Sequence, residues 1–336
     1  MRRRVEDLSE DLDRIAIETE FSGAVRVDLG DEVVLAKAYG LADREREIPN
    51  TPETRFAIAS GSKVLTALAV VRLIEDGVLD WTTPARSLLG DDLPLIDDAV
   101  TVEHLLSHRS GIGDYLDEEN GRPVTDQVLP VPASALEATE DYLPILEGHQ
   151  QKFPPGEGFS YCNGGFVVLA LLAERGTGTG FHELVRTLVC EPAGMHDTAF
   201  LRSDELPADA ALGYLFADGT QTNVDHLPVI GSGDGGAYST LADVHTMWRA
   251  LFEGRIVSTA TLERMTRPRS DVPKESKRYG AGFWLAAEGP GVILEGYDAG
   301  VSFRTMHDPD RALTHTVVSN WTDGAWPLAR YLISAF

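Results

Sequence analysis

Residues 62–76, SKVLTALAVVRLIED, constrain this chain more than any other stretch. The segment has helical character and is apolar nearly all round. A helix without a polar face holds only when it is enclosed on most sides. It must therefore lie at the centre of the molecule, with other layers packed around it. At 336 residues and 43% hydrophobic content the chain can build such a centre. That length suits one large domain or two interleaved ones. No polar tract dominates, so the chain is globular rather than disordered. One residue of the segment is out of place. Lys63 opens it, and the chain has only five lysines against twenty-four arginines.

The segments around it read as follows. Residues 4–19 have a helical period, with Val5, Leu8, Leu12, Ile15 and Ile17 near one face. SGAVRVDL and EVVLAKAY are β-rich runs joined at Leu29-Gly30-Asp31, a hairpin signal. In the middle, a capping box at Thr101 to Glu103–His104 opens a helix that runs toward Gly111. Residues 117–135 read as a long loop. GGFVVLALLAERGTG is a second buried helix, and HELVRTLVCEPAGM a third that stops near Pro192. Thr240 to Asp243 is another capping box, before STLADVHTMWRALFEG. AGFWLAA, GVILEGY, VSFRTMHD and THTVVSNW return to β character, with a turn at Asp308-Pro309-Asp310-Arg311, and AWPLARYLISAF closes the chain as a helix. The pattern predicts an α+β fold, an antiparallel sheet built from both termini and flanked by the terminal helices. Residues 1–77 and 237–336 would form this part, with a mainly helical domain, 78–236, inserted between them and the active site where the two meet.

A net charge of −24 argues against nucleic acid as a partner, since a phosphate backbone needs a cationic surface. It argues equally against anionic membranes, and no run of eighteen apolar residues offers a membrane span. Three arginines open the N-terminus, but acidic residues follow and no apolar signal-peptide core appears, so the chain reads as cytoplasmic. Cys162 and Cys190 match neither a disulfide framework nor a metal-site spacing and read as buried thiols. The sequence assigns no oligomeric state, and neither a metal nor an organic cofactor is implied.

In Ser60-Gly61-Ser62-Lys63, positions three apart share one helical face, so the hydroxyl and the amine can meet. Burial disfavours an ammonium, and a neutral amine can take the proton from the serine and make it a nucleophile. The helix N-terminus adds N–H groups able to stabilise an oxyanion. Chance alone gives roughly 0.3 such serine–lysine matches in this composition, so context must carry the reading. The alternative is a lysine that snorkels from a helix end. A second element, Phe159-Ser160-Tyr161-Cys162-Asn163, precedes a buried helix and follows the turn-rich Pro154-Pro155-Gly156. Tyr161 can relay protons to a leaving group, and Asn163 can hold both the lysine and a substrate carbonyl. The bland reading of Tyr161 is a half-buried loop aromatic.

These segments resemble the serine β-lactamase and penicillin-binding-protein superfamily, nearest to class C β-lactamase-like hydrolases and family VIII carboxylesterases. The resemblance spans about residues 22–336 and includes FSGAVRVDLGDEVVLAKAYG, IPNTPETRFAIASGSK, TVEHLLSHRSGIGDY, PPGEGFSYCNGGFVVLALLAE, CEPAGMHDTAF and GGAYSTLADV, in the expected order. It implies Ser60 as nucleophile, Lys63 as its base, Tyr161 as second base or acid and Asn163 as a contact on the carbonyl side. It also implies an antiparallel-sheet domain and a helical domain with the site between them. The third motif departs. Relatives carry Lys-Thr-Gly, His-Thr-Gly or Trp-Gly-Gly, where this chain reads Glu295-Gly296-Tyr297-Asp298-Ala299-Gly300-Val301-Ser302. No lysine or histidine stands there, and Asp298 would repel the carboxylate that the cation of relatives binds. Weak activity on β-lactams and D-Ala peptides follows, unless Arg304 or another arginine substitutes. Backbone N–H groups near Ala299 to Val301 would supply half of an oxyanion hole, with Asp298, Ala299 and Gly300 beside the substrate.

Weaker signals resolve toward structure. Gly231-Ser-Gly-Asp-Gly-Gly236 matches a dinucleotide fingerprint literally but lacks the strand–helix context, so it reads as a turn beside the site. His104 and His108 have zinc-like spacing without the glutamate of such motifs and read as structural. No G-x-S-x-G elbow occurs, and Cys162 lies between two site residues without being a nucleophile. The expected function is a serine hydrolase of the carboxylesterase type. It would cleave a small-molecule ester, or an amide, through acyl-Ser60. The alternatives are a β-lactamase, a D-amino-acid peptidase or an acyl transferase with the same mechanism. From another class comes a catalytically silent binding or sensory module, which would not need Ser60, Lys63 and Tyr161 all intact.

Overall fold

The computed structural model describes residues 2–118 and 121–336, with side chains from residue 6 onward. The expected packing of Val5 lies outside the described residues, as do Glu119 and Asn120 of the long loop.

Eight strands form one sheet: β1 (Gly23–Leu29), β2 (Glu32–Tyr39), β3 (Ser270–Val272), β4 (Lys277–Tyr279), β5 (Trp284–Ala286), β6 (Val292–Asp298), β7 (Val301–Asp308) and β8 (Leu313–Ser319). Their order is β2-β1-β8-β7-β6-β5-β4-β3, and every neighbouring pair is antiparallel. The first strand lies beside the last, from Gly23 opposite Ser319 to Leu29 opposite Leu313. The sheet is thus closed by both ends of the chain, as the strand pattern predicts. β3 and β4, three residues each, are too short to give an alternation signal in the sequence.

Successive side chains of a strand point to opposite faces. On one face Val25, Val27 and Val317 pack with Leu8 and Leu12 of α1 (Arg2–Glu18) and with Leu328 and Leu332 of the C-terminal helix Ala325–Ala335. Ile17, expected in that packing, is 79% exposed, and Ala16 takes the buried place. On the other face Ala24, Val318 and Phe303 join the main core. There α2 (Lys63–Glu75) has every side chain from Val64 to Val71 buried, packed between the sheet and α3 (Asn163–Thr177). The enclosed helix is where its composition requires it.

Residues 78–236 add no strand to the eight-stranded sheet among the described residues. Two helix ends differ from expectation. The helix capped by Thr101 stops at Leu106 rather than near Gly111, and His108 follows with φ +52°, a left-handed conformation that no helix continues through. The helical stretch from Phe181 runs past Pro192 and ends at Ala193, where Gly194 takes φ +82°. Pro192 follows a π-helical turn, Arg186–Cys190, and sits in the last α-turn, Glu191–Ala193, one residue before the stretch ends. No helix among the described residues is long and apolar enough to cross a membrane.

Candidate active site

Ser60 sits in a tight 3₁₀ turn, Ala59–Ser62, that runs directly into α2. The residue before it, Ala59, has φ +47°. A non-glycine residue held there costs of the order of 1–3 kcal/mol, and such strain gathers at functional sites. The turn is fixed from below by the Ser62 hydroxyl, which donates to Ala59 O at 2.7 Å and accepts from the Ala237 N–H at 3.0 Å. The Ser60 N–H donates to nothing among the described residues.

Lys63 is 3% exposed. Its Nζ lies 2.8 Å from Ser60 Oγ, 2.7 Å from Asn163 Oδ1 and 2.6 Å from the Asp234 carbonyl oxygen. The serine–lysine spacing therefore places the two groups in contact, and Asn163 joins them from the start of α3. Asn163 is held in turn: its Nδ2 donates to Leu116 O at 3.0 Å and to Glu118 Oε1 at 3.1 Å.

Tyr161 stacks on Trp284, with ring centroids 5.9 Å apart and planes at 10°, and Lys63 Nζ lies 5.0 Å from its ring centre. Burial first, and the charge of Glu118 after it, raise the Tyr161 hydroxyl well above its ordinary value, although a hydrogen bond with Ser60 acts the other way. The side chain is a neutral phenol, able to donate a proton.

Asn163, Asp298 and Ala299 line the same cleft as Ser60, a space of about 980 Å³ counting its open mouth. Gly300 does not. Its N–H donates to Thr322 Oγ1 at 2.9 Å, and the Ala299 carbonyl accepts from Asn223 Nδ2 at 2.8 Å, because residues 299–300 form the turn between β6 and β7. The strand residue that meets the serine turn is Gly296. A Cβ on it would lie 2.2 Å from Ile58 O and 3.0 Å from Gly61 N. β5 pairs with β6 only as far as Ile293, so the edge of β6 beyond that point is open toward the turn.

The candidate cation Arg304 is not in the cleft. It pairs with Glu295, which also binds Lys277. Asp298, in contrast, faces the cleft, and its carboxylate makes no hydrogen bond or ion pair among the described residues. Burial raises it to about 7; Lys63 acts against that rise, and the charges of Glu118 and Asp234 add to it.

Several supporting residues carry no motif. Asp114 accepts from the N–H groups of Asn163 at 2.6 Å and Gly164 at 2.9 Å, capping α3 where the site asparagine begins it. Burial lifts this carboxyl to about 6 despite those bonds. His108 accepts from the Cys162 N–H through Nδ1 at 3.1 Å and packs 4.3 Å from the Tyr161 ring. His104 serves the capping box at Thr101. The two histidines thus do structural work. Both cysteines are free, buried thiols whose pKa burial raises. The glycine-rich 231–236 segment lines the cleft and supplies the Asp234 carbonyl to Lys63. The only sequence signal for that role is its run of glycines, which permits close backbone approach.

Comparison with known proteins identifies the family. The Beta-lactamase family model matches residues 2–334. The crystal structure of a penicillin binding protein from Bacillus halodurans superposes with a TM-score of 0.90 at 35% identity, covering 97% of this chain and 100% of that one. Esterase EstB of Burkholderia gladioli is 35% identical over 52% of this chain and 45% of its own length. A D-aminopeptidase of Cereibacter sphaeroides is 27% identical over 93% of this chain and 59% of its own. The chain spans less than two thirds of the length of these two curated relatives. With the family model matched across nearly its whole length, the chain belongs to the beta-lactamase family, within the superfamily of serine β-lactamases and penicillin-binding proteins.

Proposed function

We propose that the chain is a serine hydrolase that cleaves an ester or an amide through an acyl-Ser60 intermediate, with Lys63 as general base and Tyr161 as proton relay. The observation that carries this reading is the surroundings of Lys63 Nζ, three oxygen atoms within 2.8 Å. Nζ donates to Asn163 Oδ1 and to the Asp234 carbonyl oxygen as well as to Ser60 Oγ, which fixes the amine against the serine hydroxyl where a proton can pass between them.

In this mechanism Ser60 Oγ attacks the carbonyl carbon as its proton passes to Lys63. The charge on the carbonyl oxygen is met by the Ser60 N–H and by an N–H on the open edge of β6 beside Gly296. The bond to the leaving group then breaks, and that group takes a proton from the Tyr161 phenol, which recovers one from Lys63. Water releases the acyl group by the same steps in reverse. The cleft supports an ester or amide without a carboxylate. Asp298 lines it, and the arginine and lysine nearest the third motif are bound to Glu295.

The test is intact-mass analysis after incubation with a fluorophosphonate, paired with hydrolysis of a short p-nitrophenyl ester, nitrocefin and a D-Ala-D-Ala peptide. One adduct is expected, lost in Ser60→Ala and much slowed in Lys63→Ala, with the ester turned over fastest. A folded wild-type protein that takes no adduct would refute the mechanism, and faster turnover of nitrocefin would refute the ester preference.

A further inference from the structure

We infer that Ser60 stands where two spaces of unequal size meet, and that the smaller, walled by Trp284, receives the leaving group. The chain then accepts a large acyl group but only a small, uncharged alcohol or amine. The inference rests on the reading of Ser60 as the acylated nucleophile and Tyr161 as its proton relay, and adds which half of the substrate is restricted.

Three observations carry it. The first is that Ser60 is the one described residue lining both spaces. The cleft measures about 980 Å³ and the second space about 220 Å³, each counting its open mouth. Pockets that bury a drug-sized molecule run from roughly 300 to 1,000 Å³. The cleft stands at the top of that range and the second space below it. A carbonyl carbon attacked by Ser60 Oγ carries an acyl chain and a leaving atom, which project from it in different directions. Two spaces that share only Ser60 take one each.

The second observation decides which takes which. Lys63 and Tyr161 line the smaller space, and among the described residues neither lines the cleft. When the tetrahedral carbon collapses, the electron pair of the breaking C–O or C–N bond goes to the leaving atom. That atom takes the Tyr161 proton, and the products are the free alcohol or amine and acyl-Ser60. Proton transfer requires hydrogen-bond reach. The leaving atom therefore lies on the Tyr161 side, and the acyl chain extends into the cleft.

The third is that the wall of the smaller space is fixed and its charge is spent. Trp284 stacks on Tyr161, meets Tyr279 edge-on with centroids 4.8 Å apart and planes at 89°, and has Lys277 Nζ 4.9 Å from its ring centre. These contacts pin the indole from several directions. Tyr279 and Leu294, which also line the space, are buried. Glu295 is the one carboxylate on the lining, and it is bound by Lys277 and Arg304. The lining lysine, Lys63, is committed to Ser60, Asn163 and Asp234 O. An anionic leaving group would thus meet Glu295 without a free cation. A bulky one would have to displace Trp284 rather than solvent.

The experiment measures kcat/KM for the 3-phenylpropionate esters of methanol, ethanol, 1-butanol and 2-phenylethanol. All four form the same acyl-enzyme, so their differences arise on the way to it. In wild type kcat/KM is expected to fall by at least about 10-fold from the methyl to the 2-phenylethyl ester. That trend runs against the gain in binding that added apolar area ordinarily brings. Methyl acetate, with a smaller acyl group, is expected to be no better a substrate than methyl 3-phenylpropionate. Trp284→Ala is expected to flatten the alcohol series. Trp284→Phe is expected to lessen the fall, and decides the point where the alanine variant does not fold. A flat or rising alcohol series in wild type would overturn the inference, as would a fall unchanged in the folded Trp284 variants. A wild type that hydrolyses none of these esters would refute the hydrolase reading. The smaller space is then decided on Ser60→Ala, by the magnetic-resonance shift of the Trp284 indole N–H, assigned through Trp284→Phe. A shift with 1-butanol and none with 2-phenylethanol would uphold the small space. Shifts with both alcohols, or with neither, would overturn it.

Discussion

Asp298 gives the candidate site a cost as well as a role. Its carboxyl is raised from the ordinary aspartate range to about 7, first by burial and then by Glu118 and Asp234, with Lys63 pulling the other way. Between pH 4 and 7 the folded protein therefore holds a proton that the unfolded chain has released. The folded state binds more protons in that window, so the contribution of Asp298 to stability falls as pH rises through it and stays low above 7. Asparagine does not titrate. Asp298→Asn is expected to melt above wild type by roughly 2 °C or more at pH 8, with the gap closing as pH falls toward 4. A gap that widens on acidification, read by calorimetry, would contradict the raised pKa. At this scale the sequence is uneven. Ser60, Lys63, Tyr161 and Asn163 are legible because the first pair are spaced three apart at a helix start and the second pair flank the N-cap of another. The Asp234 carbonyl is not, since any residue carries a carbonyl. Asp114 is not, because it meets Asn163 only after a long loop folds back.

The serine turn and β6 are the elements whose contact sets the geometry of attack. Gly296 lets the strand backbone lie against Ile58 O and Gly61 N, where a Cβ would collide with the carbonyl at 2.2 Å. The sequence marks an oxyanion contribution near Ala299 to Val301, but Ala299 and Gly300 form the hairpin turn, Val301 already begins β7, and the Gly300 N–H is bound to Thr322. The difference arises because a one- or two-residue shift along a strand leaves its composition almost unchanged while exchanging the edge that faces the turn. Gly296→Ala must part the strand from the turn by a large fraction of an ångström. Displacement on that scale lowers turnover by about 100-fold. Ester hydrolysis by Gly296→Ala is expected to fall by that order with far-UV circular dichroism unchanged. Near-native turnover would show that the strand does not position the reacting carbonyl. The helices were easier to read than this strand. α2 is visible from its all-round apolar character, whereas β3 and β4 have three residues each and are held by neighbours rather than by pattern.

The whole molecule is divided by its sheet into a face that reacts and a face that holds the ends together. Antiparallel β1 and β8 join the two termini, and their outward residues Val25, Val27 and Val317 are covered by α1 and the C-terminal helix. Ser60, Lys63, α2 and α3 lie on the other side, with Ala24 and Val318 beneath them. This division is legible in the chain, since β runs at both ends with an enclosed helix between them admit few other arrangements. It also separates two kinds of substitution. Leu328 is fully buried among Leu8, Leu12 and Leu332, and no residue of that cluster lines the cleft. Truncating a buried leucine to alanine costs about 2–5 kcal/mol through lost burial and the cavity left behind. Leu328→Ala is therefore expected to lower the denaturation midpoint by that amount. Its folded fraction should hydrolyse an ester with kcat and KM within about twofold of wild type, because sites far apart with no shared partners act nearly independently. Titrating denaturant against both fluorescence and activity on the same samples measures the two together. A loss of kcat in the folded protein that matches the loss of stability would show that the terminal layer shapes the serine turn through the sheet, and that the two faces are one mechanical unit.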